Sequence, residues 1–324
     1  MRFKSKFMLG AIAVASLMHS LPVQAQEWPT RPVRIVVPAG PGGGTDIVTR
    51  LLSQPLSEVL GQPVVVENKA GAGTTLGADH VAKGPKDGYT LLMINNSHSV
   101  SAALYKSIPY DAVKDFEFIT LVANAGLLVT VLPDNPAKSL ADLVAQAKAN
   151  PGKINFASVG VGTTQHFAGE LLRQVTGIEL KHIPYRTTPA TIAALRAQEV
   201  QVIFELIQPL QGQVRSGDLK ALAVTSPQRY PELPNVPTAA ESGLPGYDVV
   251  SWYALAVPRG TAKPIVDKLN KAMKDVLARE NVRKLVLQAG ATVSPSTPEE
   301  ATKHVGDEVA KWRGVMEKAG IPQQ

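Results

Sequence analysis

The chain has 324 residues, 44% of them hydrophobic and 19% charged, with a formal charge of +6. Disordered and fibrous chains are excluded by this balance. The absence of cysteine excludes a disulfide scaffold, a thiolate zinc site, an iron–sulfur centre and a cysteine nucleophile.

At the N-terminus, Arg2, Lys4 and Lys6 precede an uncharged run from Phe7 to Met18, and Val23-Gln24-Ala25 supplies small residues at the −3 and −1 positions. The run is shorter than the ~20 residues that a bilayer span needs. Residues 1–25 are therefore expected to be a secretory signal peptide cleaved after Ala25. Its removal leaves 30 basic and 27 acidic residues, a charge of +3. No basic run survives, so nucleic-acid binding loses its main electrostatic argument. A soluble exported protein is expected.

Val33 to Val37 reads as a buried strand, followed by Pro38-Ala39-Gly40-Pro41-Gly42-Gly43-Gly44. Ile47, Val48, Leu51, Leu52, Leu56, Val59 and Leu60 then recur at helical spacing, and Gly61 is a stop. Pro55 is expected to kink or split this helix. Val64 to Val66 and Tyr89 to Ile94 are further strands, in the alternation of a mostly parallel sheet flanked by helices.

The alternation restarts after Leu121, with a strand at Leu127 to Leu132 and a helix capped by Ser139 that ends near Asn150. Lys153 to Ala157 is a strand, Ser158 to Thr164 a glycine-containing turn, and Phe167, Leu171, Leu172 and Val175 mark a helix face. Val200–Phe204, Leu219–Val224 and Val249–Val257 read as strands, and Pro227–Pro245 as surface loop. Pro264–Ala278 and Pro298–Lys318 are helices, the second opened by Thr297, Pro298 and Glu299-Glu300. The fold class is α/β. Two similar lobes with a cleft between them would suit a binder that closes at a hinge.

Three segments can carry chemistry. The first is Pro38 to Asp46, where strand, glycine turn and helix start make an anion cradle from unpaired backbone N–H groups and the helix dipole. Gly40, Pro41, Gly42, Gly43 and Thr45 are its candidate contacts, and Asp46 is read as structural. No Gly-Lys-Ser/Thr follows and the dinucleotide spacing is absent, so it is neither phosphate loop nor dinucleotide fingerprint. The second repeats this logic at Ser158, Gly160, Val161, Gly162, Thr163, Thr164 and His166. Here a threonine caps the helix or donates to a ligand oxygen, and His166 donates to a carboxylate or packs in the first turn. Two opposed cradles would fit a carboxylate.

The third segment is Asn95-Asn96-Ser97-His98-Ser99, at the C-terminal end of a strand, where α/β ligands bind. Ser97 and His98 are its candidates, against the alternative of a solvated loop. Arg186 and Glu205 are weaker candidates. Glu205 ends a strand and can accept from a ligand hydroxyl or amine, or pair with a lysine or arginine. There is no Gly-x-Ser-x-Gly elbow and no His-Glu-x-x-His, and His80, His98, His166, His182 and His304 are dispersed. No catalytic residue, metal or cofactor is expected.

Several stretches resemble one family in order along nearly the whole mature chain. They include Val36-Val37-Pro38 to Arg50, Glu67 to Gly73, Pro85-Lys86-Asp87-Gly88-Tyr89-Thr90-Leu91-Leu92, Gly160 to Glu170 and His182-Ile183-Pro184-Tyr185. Leu219 to Thr225, Leu233 to Thr238 and Glu241 to Tyr247 continue the match. The chain resembles the Bug-type periplasmic solute-binding proteins of tripartite tricarboxylate transporters.

The resemblance implies a two-lobed periplasmic-binding-protein fold. Residues 26–124 with 248–324 would form domain 1, and residues 125–247 domain 2. It implies a carboxylate held by the turn at Gly160 to Thr164 and covered by the turn at Pro38 to Thr45, delivery to membrane permease subunits, and a monomer. Three places depart from the family pattern. Tyr185-Arg186-Thr187-Thr188-Pro189 lacks the usual glycine, Glu205 stands where aspartate is frequent, and Thr163-Thr164-Gln165 replaces a more serine-like turn. These positions are expected at the distal side or rim of the pocket, where ligand identity is decided. The reading leans to a dicarboxylate, aromatic ones included. A sensing protein feeding a signalling receptor, or an exported hydrolase, are the rival readings.

Overall fold

The computed structural model describes residues 28–320, 322 and 323, so the expected signal peptide lies outside the described residues. The first elements are β1 (Val33–Val37), α1 (Gly44–Leu60), β2 (Val64–Asn68), α2 (Thr75–Ala82), β3 (Thr90–Asn95) and α3 (Asn96–Leu104). Next come β4 (Phe116–Val131), α4 (Leu140–Ala149), β5 (Ile154–Ser158), α5 (Thr164–Thr176), β6 (Leu180–Pro184) and α6 (Thr188–Arg196). The chain continues through β7 (Val202–Leu206), α7 (Ile207–Ser216), β8 (Lys220–Val224) and β9 (Val250–Pro258). It ends with α8 (Lys263–Ala278), α9 (Glu280–Gln288), β10 (Thr292–Val293) and α10 (Pro298–Ala319).

The strands join in the order β2-β1-β3-β9-β4-β7-β5-β6, with β8 and β10 also pairing with β4. β1 runs parallel to β2 and β3, and β5 parallel to β6 and β7. These two parallel trios carry the glycine turns. The strands that complete the sheets, β4, β8, β9 and β10, pair antiparallel, so the expectation of mostly parallel sheets holds for the trios alone.

The 16-residue β4 belongs to both halves. Phe116 to Gly126 pairs with β9, and the strand then takes β7 and β8 as neighbours from Leu127 onward. Glycine is required where the partners change: a Cβ on Gly126 would lie 2.8 Å from Ser226 Oγ and 3.0 Å from Val224 Cγ2.

Each half buries apolar side chains on both sheet faces. In the first, Leu91, Met93, Leu255 and Val257 meet Leu52 and Leu56 of α1 and Leu269 and Met273 of α8. Val36, Leu92, Ile94 and Trp252 lie against Ala78 of α2 and Ala301 and Val305 of α10. In the second, Val129, Phe156 and Phe204 pack on Leu143 of α4 and Phe167 and Leu172 of α5. Leu128, Ala157 and Ile203 pack on Leu195 of α6 and Leu210 of α7.

α1 runs unbroken through Pro55, so of the expected kink or split the split does not occur. The ~3 kcal/mol cost of an interior proline is outweighed by the burial of Leu52, Leu56 and Leu60, at ~2 kcal/mol each. α10 opens as expected, with a reciprocal Thr297–Glu300 capping box and Pro298 in its first turn. Its later turns leave the first core for the second: the Trp312 ring lies 4.9 Å from that of Phe167. Between them Glu308 Oε2 accepts from Trp252 Nε1 at 3.1 Å and from Trp312 Nε1 at 2.8 Å.

Candidate functional site

The turn from β1 into α1 is held from below by Asp46. Its carboxylate is 3% exposed and accepts from Gly42 N at 2.9 Å, Arg50 Nε at 3.0 Å and Asn68 Nδ2 at 2.8 Å. The hydrogen bond from Arg50 is the main reason its pKa falls to about 2, and the Gly42 and Asn68 bonds act in the same sense. Asn68 also donates to Ala39 O at 3.0 Å. Gly42 has φ +78°, a left-handed conformation that glycine adopts without strain. No side chain caps α1 at Gly43, so the first N–H groups of the helix are left for solvent or a ligand. A Cβ on Gly44 would lie 2.7 Å from Tyr253 Oη, so the missing side chain is what admits the phenol.

The turn from β5 into α5 is capped from within. Thr163 Oγ1 donates to Gly160 O at 2.7 Å and accepts from His166 N at 3.3 Å. His166 Nδ1 accepts from Gly162 N at 3.3 Å. The His166 ring lies 4.2 Å from that of His182, and Ser158 Oγ is 2.7 Å from His182 Nε2. Burial first, then the neighbouring His182 and Arg173, lowers the His166 pKa to about 3, and burial lowers that of His182 to about 4. The serine–histidine pair was not evident from the sequence. Ser158 is fully buried and does not line the large cavity described below.

Two asparagines connect these turns. Asn95 caps α3 and donates to Thr45 Oγ1 at 3.0 Å. Asn96 Nδ2 donates to Thr164 Oγ1, and Asn96 Oδ1 accepts from Ser251 Oγ at 3.0 Å. Among residues 95–99, these two therefore tie the turns together, where Ser97 and His98 were expected as pocket groups. Ser97 is half-buried. His98 points into the core, 1% exposed, stacked on Tyr110 and edge-on to Phe116, with Nε2 2.9 Å from Ala112 O. Burial lowers its pKa to about 4, so it is a neutral core imidazole that donates from Nε2.

A cavity of about 520 Å³ lies where the two halves face each other. Gly42, Gly43 and Gly44 form its wall at the start of α1, and Gln165, Thr188 and Glu205 line it from the second half. Ile47, Leu51, Tyr253 and Leu285 supply apolar surface. Ile47 and Leu285 are each 41% exposed, unusual for large apolar side chains in this chain. Among the described residues no lysine, arginine or histidine lines it.

Of the expected contacts, the cavity gathers Gly42, Gly43 and Glu205. Gly40 and Pro41 lie exposed on the outer part of the turn, and Val161 is exposed. Thr45 and Thr164 are buried with their hydroxyls committed to Asn95 and Asn96. Ser158, Gly160, Gly162, Thr163 and His166 form the internally bonded α5 turn and do not line the cavity. Gly44, Gln165, Thr188 and Tyr253 went unselected. For Gln165 and the Thr187-Thr188 pair the departures from the family pattern were the available clue. A second cavity, of about 320 Å³ beside Asn124, Ser226 and Tyr230, holds none of the candidates. The described residues contain no cluster suited to a metal ion and no helix long and apolar enough to cross a membrane.

Residues 48–321 match the TctC family, described as the tripartite tricarboxylate transporter family receptor. Protein BugT of Bordetella pertussis is 36% identical over 311 residues, covering 95% of both chains. The solved structure of the periplasmic binding protein BugD superposes with a TM-score of 0.75 at 37% identity, covering 92% of this chain and 100% of that one. A Rhodopseudomonas palustris protein solved with adipate (R. palustris Rpa4515) has a TM-score of 0.78 at 33% identity, covering 91% and 99%. The α/β fold and the family expected from the residues are thus the ones found, and the chain belongs to the tripartite tricarboxylate transporter receptor family, whose members are solute-binding proteins.

Proposed function

We propose that this receptor captures a small organic carboxylate in the periplasm and delivers it to the membrane permease subunits of a tripartite tricarboxylate-type transporter. The observation that carries the reading is the uncapped start of α1 opening onto the cavity. Backbone N–H groups at a helix start attract an anion and need no side-chain cation. The adipate bound by the R. palustris protein supports a carboxylate as the ligand.

Capture of this kind works by closure. In our reading residues 26–124 with 248–324 form one lobe and residues 125–247 the other, with β4 and β9 as the connecting strands. Ligand contacts made by both lobes favour the closed population. No catalytic step is part of this reading.

The test is a thermal-shift panel of mono- and dicarboxylates on protein unfolded, dialysed and refolded to strip any carried ligand, with calorimetry on hits. At 100 times its dissociation constant a ligand stabilises by ~2.7 kcal/mol. At least one carboxylate is expected to do so without turnover. Stabilisation by uncharged analogues alone, or conversion of the bound compound, would overturn the reading.

A further inference from the structure

Gln165, Thr188 and Glu205, far apart in sequence, meet at one carboxylate. Gln165 Nε2 donates to Glu205 Oε1 at 2.8 Å, Leu206 N donates to the same oxygen at 2.8 Å, and Thr188 Oγ1 donates to Oε2 at 2.9 Å. Glu205 is 1% exposed and lines the cavity. Gln165 Nε2 and Leu206 N can only donate and the Thr188 hydroxyl can do so, as the ionised form requires; burial pushes the Glu205 carboxyl pKa up, and these three hydrogen bonds act against that shift. A carboxylate has about four acceptor positions, and three are filled, leaving one on Oε2. No cation joins it: among the described residues no lysine, arginine or histidine lines the cavity, and none forms an ion pair with Glu205.

A buried charge without a counter-charge is costly, and pairing with hydrogen bonding offsets much of that cost. The missing partner is one a ligand can bring. We infer that Glu205, oriented by Gln165 and Thr188, selects ligands that carry a protonated amine at the end away from their carboxylate. The ligand would be an ω-amino acid type zwitterion with an apolar body against Ile47, Leu51 and Leu285. A second carboxylate brought to the free position on Glu205 would be repelled by its like charge. This deepens the carboxylate-capture reading and rests on it.

The test is calorimetry on the stripped, refolded protein with matched sets. γ-Aminobutyrate, δ-aminovalerate and ε-aminocaproate are each compared with the diacid of equal carbon count (succinate, glutarate, adipate) and with the plain monoacid. Butylamine, pentylamine and hexylamine serve as partners without a carboxylate. In at least one set the amino acid is expected to bind at least ~10-fold tighter than both the diacid and the monoacid, as a charge-assisted hydrogen bond would produce. Glu205→Gln should reduce that ratio to less than about threefold. A diacid that binds as tightly as its amino acid overturns the inference and leaves carboxylate capture standing. An amine that binds as tightly as its amino acid overturns carboxylate capture and leaves the Glu205 assignment standing. Silence from every set overturns the inference. Because the ligand preference is read on the unaltered protein, poor folding of Glu205→Gln does not remove the test.

Discussion

Replacing Asp46 by Asn would test how far the cavity depends on the pinned β1–α1 turn. The carboxylate faces three donors, Gly42 N, Arg50 Nε and Asn68 Nδ2, all within 3.0 Å. Asparagine keeps the shape but sets an NH2 group against one of them and removes the charge. Lowering a carboxyl pKa from 3.8 to about 2 corresponds to at most ~2.5 kcal/mol. Arg50 is 51% exposed and the glycine turn is open to water, so screening reduces the electrostatic part to ~1 kcal/mol. With a misplaced donor added, a total loss of about 1–2 kcal/mol at pH 7 is expected. Because the folded pKa is depressed, the stabilisation is complete above about pH 4 and fades as pH falls toward 2. Urea denaturation of both proteins at about pH 7, 5 and 3 should give a gap that holds and then narrows. Carboxylate affinity should drop ~10-fold, since re-ordering even one freed residue costs 1–2 kcal/mol. A gap below ~0.3 kcal/mol at pH 7, or unchanged affinity, would refute the pinning argument.

Asn96→Ala should cost ~2 kcal/mol, because Thr164 Oγ1 and Ser251 Oγ are left buried without their partner; a urea midpoint close to that of the unaltered protein would contradict this. Gly44→Ala should destabilise by ~1 kcal/mol, the overpacking against Tyr253 Oη exceeding the better helix propensity of alanine. The companion change Tyr253→Phe should restore stability, and failure to do so would show that the phenol oxygen is not the obstacle. Stability should also fall as pH drops below about 6.5. His98, His166 and His182 stay neutral in the fold down to about 4, 3 and 4, while the unfolded chain takes up the protons first. Fully buried His98 alone contributes up to ~1.4 kcal/mol per pH unit in that window. A melting temperature that is flat between about pH 7 and 5, with no further slope change in His98→Gln, would contradict the assignment.

Features set by neighbours in sequence were legible. The Val33–Val37 strand, the Ser139 and Thr297 caps and the Gly61 stop follow from local spacing and capping chemistry. Features set by distant partners were not. Asn124-Ala125-Gly126 looks like a break, yet β9 supplies its pairing from residues 250–252 and keeps it extended. α3 is buried nearly all round, so its sequence shows no apolar stripe, and it read as a polar segment after a strand. The same blindness explains the choice of Ser97 and His98 over Asn95 and Asn96, since which of four adjacent polar residues faces the turns depends on how α3 sits. The departures at Gln165, Thr188 and Glu205 were visible one by one. Their meeting at a single carboxylate is a property of three strand–helix corners brought together by the second sheet.

Glu308 sits on a helix that packs in both cores and accepts from two indoles, Trp252 of the first and Trp312 beside Phe167 of the second. The chain has three tryptophans in all. Two of the three thus share an acceptor at the seam, where any rotation of one half against the other must change the surroundings of at least one ring. The protein carries its own optical gauge: indole emission, read without a label, would follow the closure proposed above in real time and separate the rate of ligand encounter from the rate of movement that follows.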